Sequence, residues 1–156
     1  MAEELKFRFA TESDVPWLAK MNQELILDEG HRNKMTLPEL EQRMSDFLQN
    51  EYDAVIASSG KNDIGYALYR QDPEWLYLRQ IFIIKSMRRK GFGRRFIEWL
   101  KNNPWSDCKR IRTDVLVGNV TGFDFWKAVG FKEYCITLEM ENQQKIVDEF
   151  HKGLIW

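Results

Sequence analysis

Hydrophobic positions along this chain change period several times, and each change marks an element. Over residues 5–10, Leu5, Phe7 and Phe9 alternate with Lys6 and Arg8, which predicts a strand with one buried face. The spacing then lengthens, and Val15, Leu18, Met21 and Leu25 fall on one side of a helix that Gly30 ends. Thr11 and Asp14 resemble a capping box, but Ser13 suits Pro16 better as the cap, since the missing N–H then falls in the first turn. A second helix opens on the capping box Thr36-Leu37-Pro38-Glu39 and buries Leu37, Leu40, Met44, Phe47 and Leu48. Strands follow at 53–57 and 64–70 around a loop of turn formers, 58–63. After Asp72-Pro73 the run 75–84 ends in Ile81-Phe82-Ile83-Ile84, apolar enough for burial on both faces. Phe92, Phe96, Trp99 and Leu100 share one side of the next helix, which Asn102-Asn103-Pro104 stops. A strand at 110–117, a helix at 120–129 with Phe123 and Trp126 inward, and a strand at 131–140 complete the pattern. Beyond Glu141, Ile146, Phe150 and Leu154 recur at helical spacing and predict a short C-terminal helix.

This order, β-α-α-β-β-β-α-β-α-β, implies an α/β fold with a central mixed sheet flanked by helices. No linker or repeat interrupts it, so residues 1–156 read as one domain. Lys+Arg 23 against Asp+Glu 24 leaves a net charge of −1, which argues against a global attraction to nucleic acid or membrane. The start MAEELKFRF lacks the charged and apolar regions of a signal peptide, and no run approaches the roughly 20 apolar residues of a membrane span. Cys108 and Cys135 are too few for a disulfide framework and fit reduced thiols in a cytoplasmic protein. With only His31 and His151 besides, no metal site is expected, and His31 reads as a surface residue. The acidic end of the first helix (Glu24, Asp28, Glu29) is expected to be solvated, or else to face an amine.

Basic charge is concentrated instead between the apolar strand and the helix after it. Arg88, Arg89, Lys90, Gly91, Phe92, Gly93, Arg94 and Arg95 form a basic turn with two glycines leading into a helix N-terminus. Such a terminus presents N–H groups with no helical partner, the dipole favours negative charge there, and glycine lets a phosphate approach closely. The pattern lacks both the Walker loop and the three-glycine dinucleotide fingerprint. It does resemble the pyrophosphate loop of the GNAT family of N-acetyltransferases, Q/R-x-x-G-x-G/A. Downstream, Val115-Leu116-Val117-Gly118-Asn119 and Phe125-Trp126-Lys127-Ala128-Val129-Gly130-Phe131 resemble that family's VLxxN and FYEKxGF stretches.

The resemblance covers nearly the whole chain and implies an acetyl-CoA-dependent N-acetyltransferase. In that fold the strands at 75–84 and 110–117 are parallel and splay apart to admit acetyl-CoA, the cosubstrate. The backbone from Arg88 through Arg89, Lys90, Gly91, Phe92 and Gly93, with Arg94, would hold the pyrophosphate. Main-chain groups of Ile81, Phe82 and Ile83 would pair with the pantetheine and polarise the thioester, Asn119 would contact the same arm, and Trp126 could line it. A primary amine, on a small molecule or a protein, would attack directly. Relatives often carry a Glu base in the central strand, where this chain has Arg79 and Gln80, and a Tyr acid where it has Trp126. Glu24 becomes the candidate base, ahead of Glu74 and Asp114, and Tyr134 the candidate acid. Those departures keep a non-catalytic acyl-CoA-binding or sensing domain as the alternative, with a nucleic-acid binder third. The acceptor's identity and the oligomeric state, homodimer included, stay open.

Overall fold

The computed structural model describes residues 4–142, so the helix expected around Ile146 and Phe150 lies outside the described residues. Five strands form one sheet in the order β1-β2-β3-β4-β5: β1 Leu5–Phe9, β2 Tyr52–Ser59, β3 Asn62–Gln71, β4 Leu76–Ile83 and β5 Ile111–Thr113. The first four pair antiparallel, whereas β4 and β5 are parallel. The mixed α/β sheet read from the sequence is therefore the fold. Helices α1 Val15–Glu29 and α2 Leu37–Gln49 cover one face, and α3 Phe92–Asn102 and α4 Val120–Ala128 belong to the other.

Alternation along the strands builds two cores, one on each side of the sheet. Ala54, Ile56, Tyr66, Leu68 and Phe82 meet Leu18, Leu25, Leu40 and Met44 on the α1–α2 side. Val55, Ala57, Ala67, Leu76 and Leu78 meet Phe92, Phe96, Ile97 and Leu100 on the other. Trp105, just past the stop of α3, is 1% exposed and sets its ring edge-on to Tyr69. β3 and β4 approach closely at Gly65, where any Cβ would lie 2.4 Å from the Phe82 carbonyl oxygen.

Several boundaries differ from the sequence reading, each for a physical reason. The expected loop at 58–63 is mostly strand, because the β2–β3 ladder continues to Ser59 and Asn62 and leaves only Gly60 and Lys61 to turn. Ser13 is not the helix cap. Thr11 caps a 3-10 turn, Glu12–Asp14, that feeds α1, and its N–H donates to Asp14 Oδ2 at 2.8 Å. His31 is not a surface side chain; its ring is 3% exposed and its Nε2 lies 2.9 Å from Glu29 Oε2. β5 stops at Thr113 rather than at residue 117, as the chain turns through a bond from Asn119 N–H to the Leu116 carbonyl. With so short an edge to pair on, residues 131–140 form no strand, although Tyr134, Ile136, Leu138 and Met140 alternate as a strand would and are 77–89% exposed.

Asp14, which closes the capping box with Thr11, is also tied to β1. The Arg8 guanidinium forks both its oxygens at 2.8 Å and holds the carboxyl below the usual carboxylate range. A lowered folded-state pKa stabilises above the unfolded value, about 3.9, and that contribution disappears as pH falls through the folded value. Asp14→Asn should therefore lower the urea midpoint at pH 7, by the about 0.5–1 kcal/mol of a partly exposed pair with its cap. The gap between variant and wild type should close as pH drops below about 4. A gap independent of pH would assign the loss to the cap geometry alone.

Candidate functional site

β4 carries the site because it has a neighbour along only part of its length. On the β5 side it pairs at Leu76, Tyr77 and Leu78, opposite Ile111, Arg112 and Thr113, and the two strands then part. From Arg79 to Ile83 that edge has no strand beside it among the described residues, so peptide groups at Ile81, Phe82 and Ile83 border a gap rather than a ladder. The other edge of β4 is paired throughout with β3, with one irregularity. Leu68 faces Gln80 and Tyr69 faces Leu78, so Arg79 is an extra residue, a bulge. A bulge lets two successive side chains share a face. Gln80 and Arg79 both lie on the α1–α2 side, where Gln80 bonds Tyr66 and Arg79 stacks on Phe47.

The basic turn follows at the end of β4. A 3-10 turn at Lys85–Met87 leads through Arg88 to Arg89 (φ 61°) and Gly91 (φ 80°), both left-handed, and α3 begins at Phe92. The first bond inside α3 runs from Arg95 N–H to the Gly91 carbonyl, and among the described residues no side chain caps the helix. The N–H groups of Phe92, Gly93 and Arg94 thus open the helix without a helical acceptor, the arrangement expected at an anion site. The basic residues do not act as one patch, however. Arg88 folds back, donating Nε–H to the Ile83 carbonyl at 2.8 Å and pairing with Asp28 of α1 at 2.5 Å, its head over the Phe82 ring. Arg94 reaches the Ala128 carbonyl at the end of α4, and Arg95 lies over Phe92. Arg89 and Lys90 stay exposed at the turn.

Asn119 caps α4, its Oδ1 accepting from Gly122 N–H at 3.0 Å. Trp126 is 9% exposed and sits edge-on between Phe125 and Phe131, at 5.0 and 4.9 Å between ring centroids, inside the α3-side core. The two proton-transfer candidates are not brought together. Glu24 is exposed, two residues and so about 200° round the helix from buried Asn22. Tyr134 is 77% exposed, with Arg112 over its ring at 4.5 Å. Of the α1 carboxylates, Asp28 serves the turn and Glu29 is the one whose charge reaches Tyr66.

Sequence reasoning missed a row of alternating cations and rings on the α1–α2 side. Arg43 lies over Phe47, Arg79 over Phe47 and Tyr52, and Arg70 over Tyr52 and Tyr77, at 4.7–5.8 Å. Arg70 is neutralised by Asp72, and the Tyr77 hydroxyl donates to Asp114 at 2.7 Å. Arg43 donates to Asn22 Oδ1 at 2.9 Å, and burial, with Arg79 nearby, pushes its pKa down to about 10. Tyr66, fully buried, has its phenol pushed up by desolvation and donates to Gln80 Oε1. One signal was legible: Arg43 stands three residues from Leu40 and four from Phe47, on the flank of the apolar stripe.

The acetyltransferase (GNAT) family model matches residues 10–131. None of the curated protein sequences compared with the chain matches it. Solved structures share the fold at low identity. A possible acetyltransferase from Clostridium difficile 630 is 17% identical, with a TM-score of 0.75 over 90% of this chain and 98% of that one. The aminoglycoside N-acetyltransferase AAC(6')-Iy in complex with CoA is 15% identical, with a TM-score of 0.73 over 92% and 97%. A ribosomal-protein-alanine N-acetyltransferase from Brucella melitensis biovar Abortus 2308 is 12% identical, with a TM-score of 0.71 over 89% and 100%.

Proposed function

Because this chain belongs to the GNAT acetyltransferase family, we propose that it moves the acetyl group of acetyl-CoA to a primary amine, by direct attack within a ternary complex. The observation that carries this reading is the parting of β4 from β5 after Leu78, beside the uncapped N-terminus of α3. An exposed strand edge and an anion-binding helix start, adjacent in space, suit the two halves of acetyl-CoA. CoA-bound AAC(6')-Iy having this fold supports the choice of cosubstrate.

Acetyl-CoA supplies an activated acyl carbon. The chain's own groups do the rest. N–H groups at 91–94 hold the pyrophosphate, with Arg89 and Lys90 adding charge and Arg88 bracing the turn against Asp28 and the Ile83 carbonyl. Peptide groups of Ile81, Phe82 and Ile83 align the pantetheine as an added strand would, and one N–H donates to the carbonyl oxygen where negative charge grows. Preorganised donors of this kind are worth about 3–4 kcal/mol in mutational series. Holding the amine against the acyl carbon removes the entropic cost of their encounter. Water carries away the ammonium proton and returns one to the thiolate, since Glu24 faces outward and the Trp126 indole, a donor but no usable acid, is packed in the core.

Acetyl-CoA should raise the melting temperature, by the equivalent of about 2.7 kcal/mol at a hundred times Kd. An amine panel read by thiol release should then find an acceptor. Stabilisation without turnover on any amine would identify a non-catalytic acyl-CoA-binding domain. No stabilisation at all would remove the proposal.

A further inference from the structure

The β4–β5 ladder ends beside a bonded pair that acetyl transfer, as described so far, leaves unused. Leu78 and Thr113 are the last residues to face each other, and Asp114 comes next in the chain, exposed at the vertex where the strands part. Leu76 and Leu78 pack in the α3-side core, as do Ile111 and Val115, so alternation turns Tyr77 and Asp114 to the α1–α2 side. There the Tyr77 hydroxyl donates to Asp114 Oδ2 at 2.7 Å. Burial first, and then this bond, push the phenol's pKa up, so Tyr77 remains the donor and the carboxylate the acceptor. One oxygen of Asp114 is thereby fixed, and among the described residues the other has no partner.

The cations around this pair are engaged elsewhere. Arg70 of β3 lies over the Tyr77 ring at 5.0 Å and is bound by Asp72 and the Tyr52 hydroxyl. Arg79 of β4 lies over Phe47 and Tyr52, and Arg112 of β5 over Trp75 and Tyr134 at 3.7 and 4.5 Å. Among the described residues no basic side chain pairs with Asp114, whereas Asp28, Glu29 and Asp72 are each bonded to one. The other carboxylates considered as a base stand away from the vertex. Glu24 faces outward from α1, and Glu74 precedes β4, at the paired end of the ladder.

Resting on the acetyltransferase reading, we propose that Asp114 holds the acceptor's ammonium group at the vertex and takes up the proton it loses, with Tyr77 positioning the carboxylate. The pyrophosphate end of the gap lies beyond Ile83, and Leu78 is five residues back along β4, about 17 Å. A pantetheine arm laid along Ile83, Phe82 and Ile81 therefore points its thioester toward the vertex and Asp114. In the step itself an ammonium N–H bond breaks and its proton passes through water to Asp114, while the freed lone pair forms the N–C bond. The nitrogen sheds its second proton to water, the C–S bond breaks, and the thiolate leaves with the electron pair and takes a proton from water. Asp114 then returns its proton to solvent.

The test uses the full chain with cadaverine, benzylamine and L-lysine as acceptors, thiol release being followed against pH. Asp114→Asn keeps an oxygen for the Tyr77 hydroxyl and removes only the charge, so melting temperature and acetyl-CoA affinity should hold. Its kcat should fall about a hundredfold at pH 7. The deficit should narrow as pH approaches about 10, where the amine gives up its proton unaided. Tyr77→Phe should lose less, and Asp114→Glu should recover part of the rate. A deficit equal at every pH, or an unchanged kcat in Asp114→Asn, would overturn the assignment and leave the acetyltransferase standing. Acceptor binding is also read without turnover. With CoA present, cadaverine at neutral pH should raise the melting temperature of the wild type and not that of Asp114→Asn. An equal rise in both, or none in the wild type, refutes the site whether or not any amine is acetylated. Failure of the acetyltransferase reading is seen separately, as acetyl-CoA that neither stabilises the wild type nor releases thiol, and it removes this inference as well.

Discussion

Gly91→Val should abolish the stabilisation by acetyl-CoA in a protein that still folds. Gly91 has φ 80° and stands immediately before α3, with nothing within 4 Å of the Cβ position. A β-branched residue is strained in that conformation by roughly 1–3 kcal/mol, and relieving the strain turns the leading N–H groups away. The substituent also fills the open space over the turn, where the pyrophosphate would rest. Wild type should gain roughly 5–10 °C near saturation, and the variant about none. Backbone strain alone would lower the starting temperature without touching the ligand's effect. Gly60→Val provides that comparison, because Gly60 has φ 61° and equally open surroundings in the β2–β3 turn. An undiminished ligand shift in Gly91→Val would detach the pyrophosphate from this turn.

The second large effect concerns Trp126. Its ring is held between Phe125 and Phe131 in the core that also contains Phe92, Phe96 and Leu100. Trp126→Ala should cost about 3–5 kcal/mol, the range for emptying an aromatic site. Trp126→Tyr should also lower the melting temperature, through a smaller void and a phenol needing a partner. Acetyl transfer by the remaining folded Trp126→Tyr protein should keep its kcat. A higher kcat would instead place residue 126 at the leaving sulfur, where a phenol can donate a proton and an indole cannot.

Helix and strand periods were legible because each element buries one face, and burial dictates where apolar residues stand. What escaped was anything depending on two segments at once. The strand length at 110–117 required a partner that β5 loses after Thr113, so alternation there and at 131–140 was a pattern without a ladder. Likewise, Arg88 looked like one of five equivalent cations until the fold brought Asp28 to it across sixty residues of chain. The glycine turn was readable because its chemistry is local: a positive φ and a helix start lie within three residues. Arg43, Tyr66 and Gln80 come from α2, β3 and β4 and share no local signal. For the same reason nothing in the acidic run Glu24, Asp28, Glu29 marks Glu29 as the carboxylate whose charge reaches Tyr66.

The extra residue at Arg79 also shapes how this scaffold can change. A regular strand gives adjacent residues to opposite cores, so changing two neighbours would disturb the packing around α3 as well as that around α1 and α2. Here Arg79 and Gln80 lie together on the α1–α2 side, while Leu78 and Ile81 on either side of them keep the opposite core intact. Substitutions at 79 and 80 can therefore vary as a pair with little penalty to the α3 half of the molecule. Change at these two positions spares the α3-side core, whereas deleting one of them would re-phase the strand and turn the residues beyond it to the opposite face.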